Sequence, residues 1–184
     1  MKALIIIVII ILVLMACTRS PNLKLNRSEV AYKSEIQNYP ATETADAKTR
    51  FESVFKNFHT DATEQNIRAL YADNFHFNDT FVIMNNIEEL VPHMVKTAQN
   101  VELTTVEIHE VIKTETDYYL KWTMHMKFTA VGKHIDSVSM GMSQLRFDKN
   151  GKVIFHQDYW DGSENLYEHL PLIGRFVKKI KSNL

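Results

Sequence analysis

Apolar residues recur at Ala47, Phe51, Val54, Phe55 and Phe58, the spacing of one helix face, with acidic Glu43 and Asp46 near the start. Asp61 followed by Glu64 has capping-box spacing, which predicts a short second helix ending near Tyr71. The period then shortens to two. Over 74–79, Phe75, Phe77 and Asp79 fall on one side of a strand and His76 and Asn78 on the other. Asn85 with Glu88 repeats the capping spacing, and Ile87, Leu90, Val91, Met94, Val95 and Ala98 form the stripe of another helix. Period two resumes beyond it, with strands expected at about 101–113, 116–130, 134–147 and 152–161. Gly132 marks one turn, and Asn150-Gly151 another, as a two-residue hairpin signal. After Pro171, Leu172, Ile173, Phe176, Val177 and Ile180 share one side of an amphipathic helix. Helices followed by a long antiparallel sheet predict an α+β layer pair, and a sheet that curls around helices leaves a cavity between them.

The first residues change the picture of where such a domain works. Lys2 precedes an apolar run from Ala3 to Ala16, and Cys17 follows, the layout of a secretory signal. The run is shorter than the roughly 20 apolar residues of a membrane span. Leu14, Met15, Ala16 and Cys17 resemble the lipobox of bacterial lipoproteins. That resemblance implies that 1–16 is removed and that an acylated Cys17 becomes the first mature residue. Thr18 stands where an inner-membrane retention signal favours Asp, so the outer membrane, facing the periplasm, is the expected location. The alternative is a plain signal peptide with an incidental cysteine. Cys17 is the single cysteine, which excludes an intrachain disulfide. Residues 17–44 are polar, carry Pro21 and Pro40, and read as a tether. Residues 45–184 remain for one domain, a normal size for a single core. A net charge of −1 speaks against a nucleic-acid partner. No phosphate loop or zinc spacing occurs in the sequence, so neither metal nor cofactor is expected.

This element order, with "ALYADNFHFND" and the later "LRFDKNGKVIFHQDYWDG", resembles the nuclear transport factor 2-like superfamily, in particular its SnoaL-like and ketosteroid-isomerase-like branch. The resemblance covers about residues 45–165. It implies a curved sheet wrapped on N-terminal helices around a cone-shaped cavity. It does not fix a reaction, because that fold carries isomerases, dehydratases, cyclases, hydrolases and binding domains. In the steroid isomerases the aspartate ending the first strand is the general base, and Asp79 falls on it. The positions of that family's two oxyanion donors read Phe51 and Ser143 here, which argues against steroid isomerisation, since losing one such donor costs about 10²–10³ in rate. The same matching places Leu120, Trp122, Met124 and Met126 inside, with His125 pointing away. On the last strand it sets His156, Asp158 and Trp160 on one inward face. Phe51, Phe55, Trp122, Met124, Met126, Ser143 and Trp160 are thus expected as walls of a ligand site, with Asp79, His156 and Asp158 as acid–base candidates and Asp79 near His156.

Other readings of these residues stand beside these. Asp79 can cap a turn. His156 and Asp158 can be a buried hydrogen-bonded pair that only holds the fold. Trp122 and Trp160 can be core. Val138, Met140 and Met142 form either free surface or a homodimer patch, and Arg175, Lys178, Lys179 and Lys181 either a solvated helix face or a membrane-surface contact. His59, His93, His109 and His134 are expected at the surface. Two function classes follow: a small-molecule binding module with an apolar ligand, and an acid–base enzyme of cyclase, dehydratase or isomerase type. A third is an interaction domain acting through the sheet face.

Overall fold

The computed structural model of the chain describes residues 34–35, 38–39, 46–170 and 173–183. The signal segment, Cys17, most of the tether and Leu172 lie outside them, and so do the expectations that rest on those residues.

Among the described residues from Asp46 onward, three short helices come first. In α1 (Ala47–Phe55) the Asp46 side chain caps the start by accepting from the Thr49 amide at 3.0 Å. After α2 (Phe58–Asp61), α3 (Glu64–Leu70) is capped by Thr63, whose hydroxyl accepts from the Asn66 amide at 3.2 Å. The expected Asp61–Glu64 box is therefore displaced. Asp61 ends α2, and its carboxylate takes the Asn57 amide and side chain at 3.2 and 3.3 Å. The cap of α4 (Ile87–Asn100) slips in the same way. Asn86, not Asn85, accepts from the Glu89 amide, because Asn86 is the last residue of the preceding strand and the one directly before the helix.

The strands are β1 (Tyr71–Asn78), β2 (Ile83–Asn86), β3 (Val101–Lys113), β4 (Tyr118–Ala130), β5 (Lys133–Phe147) and β6 (Val153–Trp160). Their order in the sheet is β2-β1-β6-β5-β4-β3. The four long strands fall within two residues of the predicted bounds. Three features differ: β1 begins at Tyr71, β2 is additional, and β1 runs parallel to β6, so the sheet is mixed rather than wholly antiparallel. The parallel pair arises because the last strand returns into the sheet beside the first, bringing Phe77 level with His156.

The two turns also differ from each other. Val131 and Gly132 are both left-handed, at φ 51° and 71°, which makes the two-residue primed turn of the β4–β5 hairpin. At Asn150-Gly151 only Gly151 is left-handed, at φ 73°. Asp148 organises that loop, its carboxylate accepting from the amides of Asn150 and Lys152 at 2.8 Å each, so it is longer than the predicted two-residue turn.

The helices cover the inner face of the sheet, where Phe51, Val54, Ile67, Leu90 and Met94 pack against Tyr71, Phe75, Leu120, Leu145 and Phe147. Across β4 and β5 large residues face small ones: Trp122 opposite Gly141, Met124 opposite Ser139, Met126 opposite Ser137. A Cβ at Gly141 would overlap the Trp122 ring, so the indole lies over a strand that only glycine leaves bare. Beyond β6 come α5 (Gly162–Asn165), a 3-10 turn (Tyr167–His169) and α6 (Ile173–Lys181), the expected C-terminal helix. On the outer face Val138 and Met140 are exposed.

Candidate functional site

A cavity of about 190 Å³ lies between the helices and the inner face of the sheet. Phe51 and Phe55 of α1 and Phe58 of α2 form one wall. Trp122, Met124 and Met126 of β4 and Trp160 of β6 form the wall opposite. His93, Met94 and Thr97 of α4, Phe77, Phe81, Val101, Thr104 and Val106 complete it, with Asp79, Ser143 and Asp158 as further polar groups. Every expected ligand-site residue, from Phe51 to Trp160, thus meets in one space. Leu120 lies inward too, but is fully buried below it. His125 points outward and contacts Asp136 at 2.6 Å.

Period two explains the aim of these side chains, and a chain of hydrogen bonds fixes it. The Trp122 indole N–H donates to Ser143 Oγ at 2.9 Å. Ser143 Oγ donates to Asp158 Oδ1 at 2.5 Å, and His156 Nε2 meets the same oxygen at 2.8 Å. On the other side of the ring, Tyr71 OH meets His156 Nδ1 at 2.6 Å. With Asp158 ionised and the imidazole neutral, the Nε2–H donates to the carboxylate and Nδ1 accepts from the tyrosine hydroxyl. Tyr71 is fully buried; burial raises its pKa well above the phenol value and the charges of Asp158 and Asp79 raise it further, so it keeps its proton. Phe51, Phe55 and Phe77 enclose the imidazole, their centroids 5.0 to 5.9 Å from it. His156 is therefore absent from the cavity wall, contrary to expectation: it stands behind Asp158 and holds it, while Asp158 itself reaches the cavity. Asp158 Oδ2 makes no hydrogen bond among the described residues.

Asp79 combines both of its sequence readings. Its Oδ1 caps the turn after β1, accepting from the amides of Phe81 and Val82 at 2.9 Å each. The Trp160 indole N–H donates to its backbone carbonyl at 3.1 Å. The carboxylate is also part of the cavity wall. Burial pushes its pKa up, the two amides oppose this, the charge of Asp158 adds to it and His93 opposes it. The expected pairing with His156 does not form, because Tyr71 and Asp158 occupy both ring nitrogens. Asp79 feels Asp158 and His93 instead.

Two ionisable residues of the site, Tyr71 and His93, are not expected there from the sequence. The helix spacing ends at Tyr71, yet Tyr71 shares odd parity with Phe75, Phe77 and Asp79, a signal that extends the strand backwards to it. His93 is expected at the surface, yet with Met94 and Thr97 it follows helical spacing across the cavity side of α4. His59 is likewise half-buried, its Nδ1 3.3 Å from the Thr104 carbonyl, whereas His109 and His134 are exposed as expected.

Solved structures with the same fold come from several bacteria. A candidate SnoaL-like polyketide cyclase from Shewanella denitrificans matches with a TM-score of 0.56 and 16% identity over 64% of this chain and 91% of its own. An LEH-like epoxide hydrolase from Mycobacterium tuberculosis gives 0.56 and 13%, over 78% of this chain and 100% of its own. A hypothetical protein with a ketosteroid isomerase-like fold from Catenulispora acidiphila, in complex with trimethylamine, gives 0.55 and 13%, over 67% and 92%. No sequence among the curated proteins matches significantly. The model of the SnoaL-like domain matches residues 48–156, more than half of the chain, and the chain belongs to that family.

Proposed function

We propose that the protein binds a small, mostly apolar molecule in this cavity, with Asp158 and Asp79 as its polar contacts. The observation that carries this reading is the composition of the walls: aromatic and thioether side chains surround two carboxylates that each keep one oxygen outside the hydrogen bonds among the described residues. Few polar groups converging on an apolar space is the usual form of a small-molecule site. Apolar cavities of about 150 Å³ accept benzene, so about 190 Å³ suits a ligand of ring size. Mass spectrometry of the extract from freshly purified protein tests this. An apolar compound at one per chain supports the reading, and its retention by a Val106→Phe variant, whose side chain fills the cavity from β3, contradicts it.

A second reading is acid–base catalysis of cyclase, dehydratase or isomerase type. It is favoured by Asp79, a carboxyl that lines the cavity and whose pKa burial pushes upward, making it a stronger base than an exposed carboxylate. Asp158, held by Ser143 and His156, would then orient or stabilise the reacting group. Neither Phe51 nor the already engaged Ser143 replaces the oxyanion donors of the steroid isomerases, so that reaction is not proposed. Asp79→Asn should abolish turnover of a substrate but alter the affinity of a mere ligand only modestly.

The binding domain is proposed to work at the bacterial envelope, anchored to the outer membrane through an acylated Cys17 and facing the periplasm. Cys17→Ser should release it from membrane fractions or block its processing. Retention of a processed Cys17→Ser chain in the membrane would exclude the acyl anchor.

A further inference from the structure

The helix α6 turns its apolar side away from the domain. Ile173, Phe176 and Ile180, at i, i+3 and i+7, are 52, 70 and 61% exposed. The side that faces the protein is formed by Gly174, the buried residue of this helix, whose missing Cβ lets it lie against the Glu168 backbone. Lys181, on the same side, reaches Glu168 at 2.6 Å. Packing therefore fixes the rotation of the helix and presents the apolar stripe outward. An exposed stripe of this kind on a helix of nine residues marks a contact surface.

Charge selects the partner. Arg175, Lys178 and Lys179 stand beside the stripe, and α6 contains no acidic residue. A second copy of the helix would set cations against cations. An anionic lipid surface accepts both features, with apolar side chains between the headgroups and cations among the phosphates. The surface continues towards the cavity. The Tyr167 ring, just before α6, meets Phe81 edge-on at 6.4 Å, and Phe81 in turn meets Trp160 at 5.4 Å. Phe81 and Trp160 both line the cavity.

We propose that α6, with Tyr167, docks on an anionic lipid surface and so sets the mouth of the cavity at the bilayer. The proposal rests on the exposed stripe and its cations and stands whether or not the cavity ligand is found.

The test uses the full chain reconstituted in vesicles of phosphatidylethanolamine and phosphatidylglycerol, with phosphatidylcholine vesicles for comparison. An environment-sensitive dye is attached at Phe176→Cys, at Tyr167→Cys or, as a distant control, at Val131→Cys on the β4–β5 turn. In the anionic vesicles, lipid-borne quenchers should reach the first label strongly and the second at shallower depth, and should miss the third. Each basic residue near an anionic surface contributes about fivefold, so Arg175→Gln, Lys178→Gln and Lys179→Gln together should lower the ratio of docked to free helix about 100-fold. Equal quenching in phosphatidylcholine, or none at Phe176→Cys, overturns the proposal. A dye shift that grows with protein concentration without vesicles also overturns it, since a second copy would then cover the stripe. Quenching at Phe176→Cys without any at Tyr167→Cys overturns the placement of the mouth.

Discussion

Strands β5 and β6 carry a carboxylate network on each of their faces, and the two are built to opposite ends. On the outer face Arg146 grips Asp117 with contacts of 2.7 and 3.2 Å, Gln144 donates to the same carboxylate at 2.8 Å, and Tyr159 donates to Gln144 at 3.1 Å. A fixed cation closes that network. On the inner face, one residue along each strand, Ser143 and Asp158 join Trp122, His156 and Tyr71 without any lysine or arginine. The outer network satisfies its charge internally and holds the sheet. The inner one holds a carboxylate firmly by one oxygen and leaves the other for whatever enters the cavity. We read the absence of a lysine or arginine partner, rather than burial or hydrogen bonding, as what marks the inner carboxylate as the candidate site.

The largest effect should come from breaking the outer network. Asp117→Asn removes the carboxylate that the Arg146 guanidinium, 11% exposed, grips twice, and should cost about 3–5 kcal/mol in denaturant unfolding. The pH dependence follows with a definite sign. Burial raises the pKa of Asp117, but hydrogen bonds from Arg146, Thr116 and Gln144 outweigh it and hold it below the ordinary value. Its contribution is therefore present above the unfolded carboxyl pKa of about 4 and is lost as pH falls through the folded value. A wild-type stability that does not fall in that range relative to Asp117→Asn would place the charge elsewhere.

Next in size is the inner network's anchor. His156→Phe strips partners from the Tyr71 hydroxyl and from Asp158 and should cost about 2–4 kcal/mol, by the desolvation penalty of unpaired groups. Thermal unfolding reads this, and a loss as small as that of an exposed substitution would mean the chain from Tyr71 to Asp158 carries no weight. Gly141→Ala, which forces the Trp122 indole aside, should cost about 1–3 kcal/mol and raise the accessibility of the indole to quenchers.

Asp79→Asn should have the smallest effect and the opposite sign. The amide oxygen can still accept from Phe81 and Val82, and a desolvated charge is removed. A raised folded pKa means that Asp79 favours the fold below its unfolded pKa and that this advantage is lost as pH rises through the folded value. At neutral pH the variant should match or exceed the wild type in stability by at most about 1 kcal/mol. A clear destabilisation would show that the charge itself holds the turn.

The alternating strands were legible because period two survives any tertiary arrangement, and the inward aim of Trp122, Met124, Asp158 and Trp160 followed from it. The capping residues slipped by one or two positions because Asp, Asn and Thr lie close together in each loop and only backbone geometry chooses among them. The parallel β1–β6 pair leaves no local trace, since it joins residues about 80 apart. For the same reason the Tyr71–His156 contact was invisible, and with it the fact that His156 serves Asp158 rather than Asp79. The carboxylates were found, but which partner each would take depended on strand neighbours that the sequence does not order.

The central claim is that the inner network opens into a ligand site, and the protein carries its own reporters for it, because its two tryptophans, Trp122 and Trp160, both line the cavity. The most direct measurement is quenching of their emission by 4-bromobenzyl alcohol, a neutral ring-sized probe. Saturable one-site quenching that is lost in Val106→Phe, which fills the cavity from β3, and kept in an outer-face Val138→Ala control is the predicted result. Quenching that rises linearly without saturation, or that Val106→Phe leaves unchanged, would contradict it.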